Sequence, residues 1–204
     1  MATCYNIGDT GPGGGIVFAL PFTGINNTKY YYEISTVDIN QPSYFVDSSL
    51  NPSPQGMPLI GSEFGSYNNP VPTSFSFGTG KKNTDIIAAL PLSPGHHPFH
   101  PNHDIAAVQC KQYAQTGPDG IDYKDWFLPS LDELKEAKEQ INNLVNQGII
   151  PDLFFEERLY LTSSGDPSDD TLVKALLLWG AYMPSLYLIS TTSRAYPLMV
   201  RPIR

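Results

Sequence analysis

The sequence of 204 residues has few charged side chains, and basic residues are the scarcer kind. Charged residues make up 16% of the chain, against roughly 25% in an ordinary soluble domain. There are 12 basic residues against 20 acidic ones, and none of the basic residues lies between Lys29 and Lys81. Because nucleic-acid binding needs a basic surface for the phosphates, this composition argues against a nucleic-acid partner.

The sequence contains only two cysteines, and the distance between them along the chain excludes a local metal or redox motif. Cys4 and Cys110 lie too far apart for a CxxC pair. The sequence leaves two alternatives, one disulfide between these cysteines or two buried free thiols, and it favours buried thiols because free cysteine is commonly buried. Neither cysteine lies in an evident reactive setting, and the chain has no Gly-x-Ser-x-Gly elbow and no histidine in a triad context. We therefore expect no enzyme activity.

The chain also lacks a long uninterrupted apolar run. The most apolar stretch, residues 172–189, is broken by Lys174, Gly180 and Pro184, whereas a membrane-spanning helix needs about 20 apolar residues. The first residues lack the basic and apolar regions of a signal peptide. We expect no membrane insertion, and synthesis in the cytoplasm without a signal peptide.

Turn-forming and aromatic residues are abundant instead. The chain has 17 glycines, 19 prolines and 12% aromatic residues, and its hydrophobic fraction of 41% is enough for the core of a single domain over residues 1–204. Residues 40–77 form a long insertion rich in proline and aromatics, and long loops of this kind are usually functional or disordered. We predict that this loop is the contact surface, unless its aromatics fold back as a small satellite core. The predicted ligand- or partner-binding residues are Tyr44, Phe45, Phe64, Tyr67, Phe75 and Phe77.

Local patterns predict strands at both ends of the chain and helices between them. The predicted strands are residues 15–20, 30–35, 159–162, 187–190 and 198–203. The predicted helices run from Asn83 or Thr84 to Leu90, from residues 102–104 onward, and from the capping box of Ser130 and Glu133 to a stop at residues 146–148. Residues 172–179 are too uniformly apolar for periodicity to decide between helix and strand.

Two kinds of side-chain cluster could hold a metal. The histidines are His96, His97, His100 and His103, and the acidic turns carry Asp119, Asp122 and Asp125, then Asp166, Asp169 and Asp170. Known zinc sites usually add cysteine or a well-spaced carboxylate, and neither acidic turn has the order of an EF-hand. We predict a proline-bounded loop and solvated turns with no metal and no cofactor, although the histidines leave metal binding open.

Four separated segments look structural when taken alone. They are IGDTGPGGGIVF at 7–18, GTGKKNT at 78–84, DWFLPSLDEL at 125–134 and VRPIR at 200–204. The glycine-rich segment precedes a strand, whereas a phosphate-binding loop follows one. We expect Trp126 and Phe127 in the core, Asp125 bonded to local backbone, and Arg201 and Arg204 paired with carboxylates.

Together these four segments resemble the Lcl C-terminal-type domain, which is found at the ends of bacterial collagen-like adhesins and in phage proteins. Their order and spacing span nearly the whole chain. The family's Tyr-Trp-Ser-Ser segment corresponds to residues 159–164, which lack the tryptophan. The resemblance implies an α+β fold of the C-type lectin type, with a twisted antiparallel sheet, two or three helices, a long loop region, and strand 15–20 paired with strand 198–203.

The resemblance also implies non-enzymatic binding or adhesion. The expected protein is a phage virion surface component, such as a tail, fibre or decoration protein, that contacts a receptor, a cell-surface glycan or another virion protein. A homo-oligomer is left open. The alternatives are a purely structural virion assembly protein and, less favoured, a C-type lectin-fold enzyme related to formylglycine-generating enzymes.

Overall fold

The computed structural model describes residues 4–20, 31–39, 62–65, 70–90, 105–151, 158–178, 187–194 and 198–204. Its strands are β1 (Ile16–Ala19), β2 (Tyr32–Ile34), β3 (Gln115–Thr116), β4 (Asp122–Tyr123), β5 (Arg158–Gly165), β6 (Leu172–Leu178) and β7 (Tyr187–Ser193). Its helices are α1 (Gly80–Ala89), α2 (Ala106–Gln112) and α3 (Leu131–Asn146). The described chain is thus mixed α+β, as predicted. None of these helices is long and apolar enough to cross a membrane.

The strands form three antiparallel sheets within the described residues. β1 pairs with β2, β3 pairs with β4, and a larger sheet has the order β5-β6-β7. The apolar run that the sequence left open between helix and strand is β6, which lies between two neighbours in that sheet. Side chains of a strand point alternately to the two faces of its sheet, so a nearly continuous apolar pattern suits a strand that is packed on both faces, as β6 is.

Helix α3 has the boundaries that its sequence signals predict. The Ser130 hydroxyl accepts the Glu133 N–H, and the Glu133 carboxylate accepts the Ser130 N–H at 2.7 Å, which confirms the capping box. The helix ends at Asn146, and Gly148 follows with a φ of 71°. A left-handed glycine beyond the last turn is a common helix stop.

Two hydrophobic clusters lie on opposite faces of the larger sheet. Tyr160 of β5 and Leu176 of β6 pack with α3 in the first cluster. Leu161 and Val173, which alternate with them along the same strands, pack with α1 and α2 in the second. Successive side chains of a strand point to opposite faces, so the sheet is covered by α3 on one side and by α1 and α2 on the other.

The C-terminal segment, residues 198–204, differs from its predicted role. It forms bridges rather than a regular strand: Ile203 bridges to Ile34 of β2 and also to Phe127. The outer edge of β1 is taken by the N-terminal turn, since the Gly8 N–H donates to Val17 O at 2.8 Å. The expected direct pairing of residues 15–20 with 198–203 is therefore replaced, in the part of the chain that the structure describes, by β2 lying between them.

Candidate functional site

The glycine-rich loop wraps around a carboxylate of the protein itself. The N–H groups of Gly13 and Gly15 donate to Glu33 Oε2 at 3.0 and 3.2 Å, and Glu33 is fully buried. A Cβ on Gly11 would overlap the Glu33 carboxyl group, so this position requires glycine. The loop thus binds an anion, but the anion is internal. The structural role expected for these glycines is confirmed, and its cause is the close approach to Glu33.

Arg204, in the fourth segment, connects this loop to the third segment, residues 125–134. Its Nη1 lies 2.8 Å from Glu33 Oε1, and its Nε donates to Asp125. The predicted pairing of Arg204 with carboxylates is confirmed, whereas Asp125 bonds to this arginine rather than to local backbone as expected. Trp126 is buried next to these groups, as predicted, and donates its ring N–H to Tyr123 O at 3.0 Å.

Glu133 connects the second and third segments in a similar way. Besides closing the α3 capping box, its carboxylate accepts the N–H groups of Gly78 at 3.0 Å and Gly80 at 3.4 Å. These N–H groups lie at the start of α1, where a helix has no internal acceptors. This is why α1 begins at Gly80 rather than at Asn83 or Thr84. Burial raises the pKa of Glu133, while the four donated hydrogen bonds act in the opposite direction.

Arg201 forms a buried ion pair of its own. Its Nε donates to Asp38, its Nη1 donates to Ser35 O at 3.2 Å, and Tyr160 donates its hydroxyl to Asp38 at 3.1 Å. The predicted pairing of Arg201 with a carboxylate is confirmed. The bonds to Asp38 raise the pKa of Arg201 against the opposing effect of burial, so the guanidinium stays charged. The four segments are therefore joined through Glu33 and Glu133, and the charged groups of Glu133, Arg201 and Arg204 have partners inside the fold.

The predicted contact residues of the 40–77 loop fall into two groups. Tyr44, Phe45 and Tyr67 lie outside the described residues. Phe64 is fully buried in the second cluster, with the Arg194 guanidinium 4.9 Å above its ring. Phe64 is thus a core residue, which corrects the contact role expected for it: a side chain without exposed surface has nothing to offer a partner. It folds back into the protein, as the alternative expected, but into one of the two main clusters rather than into a small satellite core.

The other two aromatics of that prediction lie nearer the surface. Phe75 is partly buried against the first cluster. Phe77 keeps 40% of its surface exposed, and its ring lies 4.9 Å from that of Tyr32 in an edge-on arrangement. A contact role for Phe75 and Phe77 stays a prediction.

Some of the candidate metal ligands lie outside the described residues, and the others lie within them. His96, His97, His100 and His103 lie outside the described residues. Among the described residues, no group of three or more histidine, cysteine or acidic side chains is arranged to hold a metal ion. In the acidic turns, Asp119 accepts the Tyr123 hydroxyl at 2.7 Å, and Asp166 forms an ion pair with Lys174 at 2.6 Å. The Ile121 N–H and the Tyr123 hydroxyl lower the pKa of Asp119, and the bonds from Lys174 and Ser168 lower that of Asp166 to about 2.

The two cysteines are not joined by a disulfide. Cys110 is fully buried on α2, and burial strongly raises the pKa of its thiol. Cys4 is exposed, which corrects the expectation of two buried thiols. A thiol held protonated in an apolar core is a poor nucleophile and a poor metal ligand.

An aromatic surface that sequence reasoning missed lies beside the C-terminal arginine. We call it the tyrosine cluster; it consists of Tyr5, Tyr31 and Tyr123, which are all partly exposed. The rings of Tyr5 and Tyr31 lie 4.8 Å apart at 57°, and the Arg204 guanidinium lies 4.4 Å from the Tyr123 ring.

Tyr31 and Tyr123 of the tyrosine cluster have raised pKa values. Burial raises the pKa of Tyr31 foremost, with smaller raising effects from Tyr5 and Glu33 and a lowering effect from Arg204. The hydrogen bond to Asp119 has the largest effect in raising the pKa of Tyr123, and the charge of Tyr31 has a smaller raising effect. The cluster joins three segments that are remote in sequence, so no local motif could have indicated it. Its sole signal was the abundance of tyrosine.

Comparison with known proteins finds no family model, no curated protein and no solved structure that matches this chain.

Proposed function

We propose that the chain is a non-enzymatic binding module with a C-type lectin-like domain, and that the tyrosine cluster is its contact surface. The observation that carries the proposal is a surface of partly exposed rings, in which Tyr5 packs against Tyr31 and Tyr123 packs against the guanidinium of Arg204, which Glu33 and Asp125 fix in place. Tyrosine offers a large, rigid contact area with a hydrogen-bonding end at low entropic cost. A surface fixed in this way is preorganised, which lowers the cost of binding.

The charges around the cluster favour a neutral, hydroxyl-rich ligand such as a cell-surface glycan. Arg204 is already paired with two carboxylates, so it brings no unneutralised positive charge for an anionic ligand. Asp119 and Asp125 lie at the exposed rim of the cluster and can accept hydrogen bonds from hydroxyl groups. Aromatic rings with a few placed polar groups are the usual composition of a ligand site.

The non-enzymatic part of the proposal is supported by the state of the cysteines. A formylglycine-generating type of reaction needs reactive thiols, and the Cys110 thiol is buried and held protonated. The C-type lectin-like part is supported by the return of the C-terminal segment to β2, beside the N-terminal strand β1, where Glu33 and Arg204 exchange backbone hydrogen bonds of 3.0 and 2.9 Å. A place on a phage virion rests on the resemblance alone; detection of the chain by mass spectrometry in purified particles tests it.

A double substitution at the tyrosine cluster tests the binding role. We expect Tyr5→Ala with Tyr31→Ala to weaken binding to neutral host-cell polysaccharide at least about tenfold, because each ring contributes on the order of 1 kcal/mol to a contact. The readout is the dissociation constant on immobilised polysaccharide, alongside the melting temperature.

Two control variants make the result specific. Tyr5→Phe with Tyr31→Phe keeps both rings and is expected to retain most of the binding. Val37→Ala removes an exposed apolar side chain, 47% exposed, outside the cluster and is expected to change nothing. If the alanine variant binds polysaccharide as well as the unaltered protein does, the cluster is not the contact surface.

A structural assembly role is the second candidate, and one observation favours it. β7 is an exposed strand at the edge of the larger sheet in the described part of the chain. Such an edge is suited to pairing with another chain.

A further inference from the structure

The outermost described strand of the larger sheet, β7, has no feature that would prevent pairing with another strand. Its seven residues, Tyr-Leu-Ile-Ser-Thr-Thr-Ser, include no charged residue, proline or glycine. Its register with β6 runs without interruption from residue 187 to residue 193, so no bulge disturbs it. Leu188 and Ile189 are 56% and 43% exposed. Proteins usually protect an edge strand with charges, prolines or bulges, and β7 has none of these.

The outward-facing backbone groups of β7 can be identified from its hydrogen bonds. The Arg194 N–H, just after the strand, donates to Thr171 O at 2.8 Å, so this N–H faces the side of β6, whereas the Arg194 carbonyl accepts the Phe64 N–H at 3.2 Å. In an antiparallel pair, residues alternate between facing the partner strand and facing away from it. Residues 192, 190 and 188 therefore also face β6, whereas Ile189 and Thr191 direct their N–H and C=O groups to the outer edge.

We propose that β7 pairs with β7 of a second copy of this chain, antiparallel and around a two-fold axis at Ser190. In this register residues 188–192 of the two copies lie opposite one another, and the two larger sheets join into one of six strands. Ile189 lies opposite Thr191 of the second copy in a hydrogen-bonded pair. Ser190 lies opposite the same residue of the second copy in a non-hydrogen-bonded pair.

The absence of charge on β7 makes it the part of the described surface where a second copy meets little repulsion. The chain carries a net charge of −8, so two copies repel each other over most of their surfaces. β7 is uncharged, and the adjacent Lys174 is neutralised by Asp166 at 2.6 Å while also donating to the Thr191 hydroxyl at 2.7 Å. The strand is thus a place where two copies can approach with little repulsion. A two-fold contact of one surface with itself is also the commonest form of homo-oligomer.

Disulfide trapping tests both the contact and its register. In a Cys4→Ser background, which removes the exposed native thiol, we expect Ser190→Cys to give a covalent dimer under mild oxidation. Non-hydrogen-bonded pairs place their Cα atoms about 4.5 Å apart, which lies within the range that a disulfide spans. Thr192→Cys is the matched control and is expected to remain monomeric on a denaturing gel, because residue 192 faces residue 188 of the second copy.

Sedimentation velocity tests the assembly without a cross-link. We expect the unaltered protein to sediment as a dimer at micromolar concentration, and Ile189→Pro to sediment as a monomer with an unchanged circular dichroism spectrum. Proline at this position removes an outward N–H, which β6 does not use. Ile189→Lys serves as a second variant, and Ile149→Lys, at a residue 55% exposed outside the sheet, is expected to leave the dimer intact. A protein that is monomeric at all concentrations, or equal cross-linking at residues 190 and 192, would overturn the proposal.

Discussion

Glu33 is the residue around which both ends of the described chain are organised. Its side chain accepts N–H groups from the glycine-rich loop and pairs with Arg204, while its backbone exchanges hydrogen bonds with the same arginine. A buried carboxylate is costly unless it is paired and hydrogen-bonded. The loop and the last residue of the sequence together meet that requirement.

A single methyl group in the loop tests this arrangement at the residue scale. We expect Gly11→Ala to lower the free energy of unfolding by about 1–3 kcal/mol, the usual cost of overpacking, because the new Cβ overlaps a carboxyl group that Arg204 holds in place. Denaturant titration gives the measurement. Thr10→Ala, at the exposed neighbouring position, is expected to stay within about 0.5 kcal/mol; a Gly11→Ala protein of equal stability would mean that the loop is not tightly fitted.

At the scale of elements, α3 shows what local sequence can predict. Its capping box and its glycine stop are local signals, and the structure reproduces both ends of the helix. The start of α1 was missed because its N–H groups are capped by Glu133, which lies 53 residues away from Gly80. Propensity and periodicity describe neighbours in sequence, so they contain no information on such a distant acceptor.

The candidate site was harder to predict than the elements, for the same reason. The pair of Glu33 and Arg204 is separated by 171 residues, and the tyrosine cluster draws on residues near both ends of the chain and near β4. The sequence indicated that Arg204 would find a carboxylate, but it could not indicate which one. The proline-rich neighbours of Phe64 predict a surface position for it, whereas long-range packing places its ring under Arg194.

The Glu133 cap of α1 and α3 predicts a pH dependence of stability. Burial raises the pKa of Glu133 above its usual value of 4.5, so the folded state binds this proton more tightly than the unfolded state does. Its contribution is fully present below pH 4.5 and is lost as the pH rises through the folded pKa. We therefore expect the melting temperature to rise as the pH falls from 7 towards 4.5.

A variant of Glu133 tests this expectation, and the ionisation of Asp166 acts on stability in the opposite direction at lower pH. Glu133→Gln cannot ionise but retains the capping-box acceptor, so its melting temperature should vary less over that range. The pKa of Asp166 is lowered from 3.8 to about 2 by its bonds to Lys174 and Ser168, so its contribution is present above pH 3.8 and is lost as the pH falls towards 2. A variant with the same pH profile as the unaltered protein would contradict the role of Glu133.

At the scale of the whole molecule, the C-terminal segment holds the parts together. Its backbone bonds to Ile39, to Ser35 and Glu33 around β2, to Phe127 before α3, and to Leu161 of β5. Met199 and Ile203 belong to the first hydrophobic cluster, and Val200 belongs to the second. The segment therefore contacts both cores and two of the sheets, although it forms no regular strand of its own.

Deletion of residues 200–204 tests most directly the central claim that the four segments form one buried, structural network. Removing them leaves the Ile39, Ser35, Glu33 and Phe127 backbone groups without their partners, and each buried polar group left unsatisfied costs about 1–3 kcal/mol. The summed cost of these unsatisfied groups is comparable with the whole free energy of unfolding of an ordinary domain, which is about 5–15 kcal/mol. We expect the truncated chain to show no cooperative thermal transition, whereas Arg204→Ala, which keeps the backbone bonds, should still melt cooperatively at a lower temperature. A soluble truncated chain that melts cooperatively near the temperature of the full chain would contradict the account.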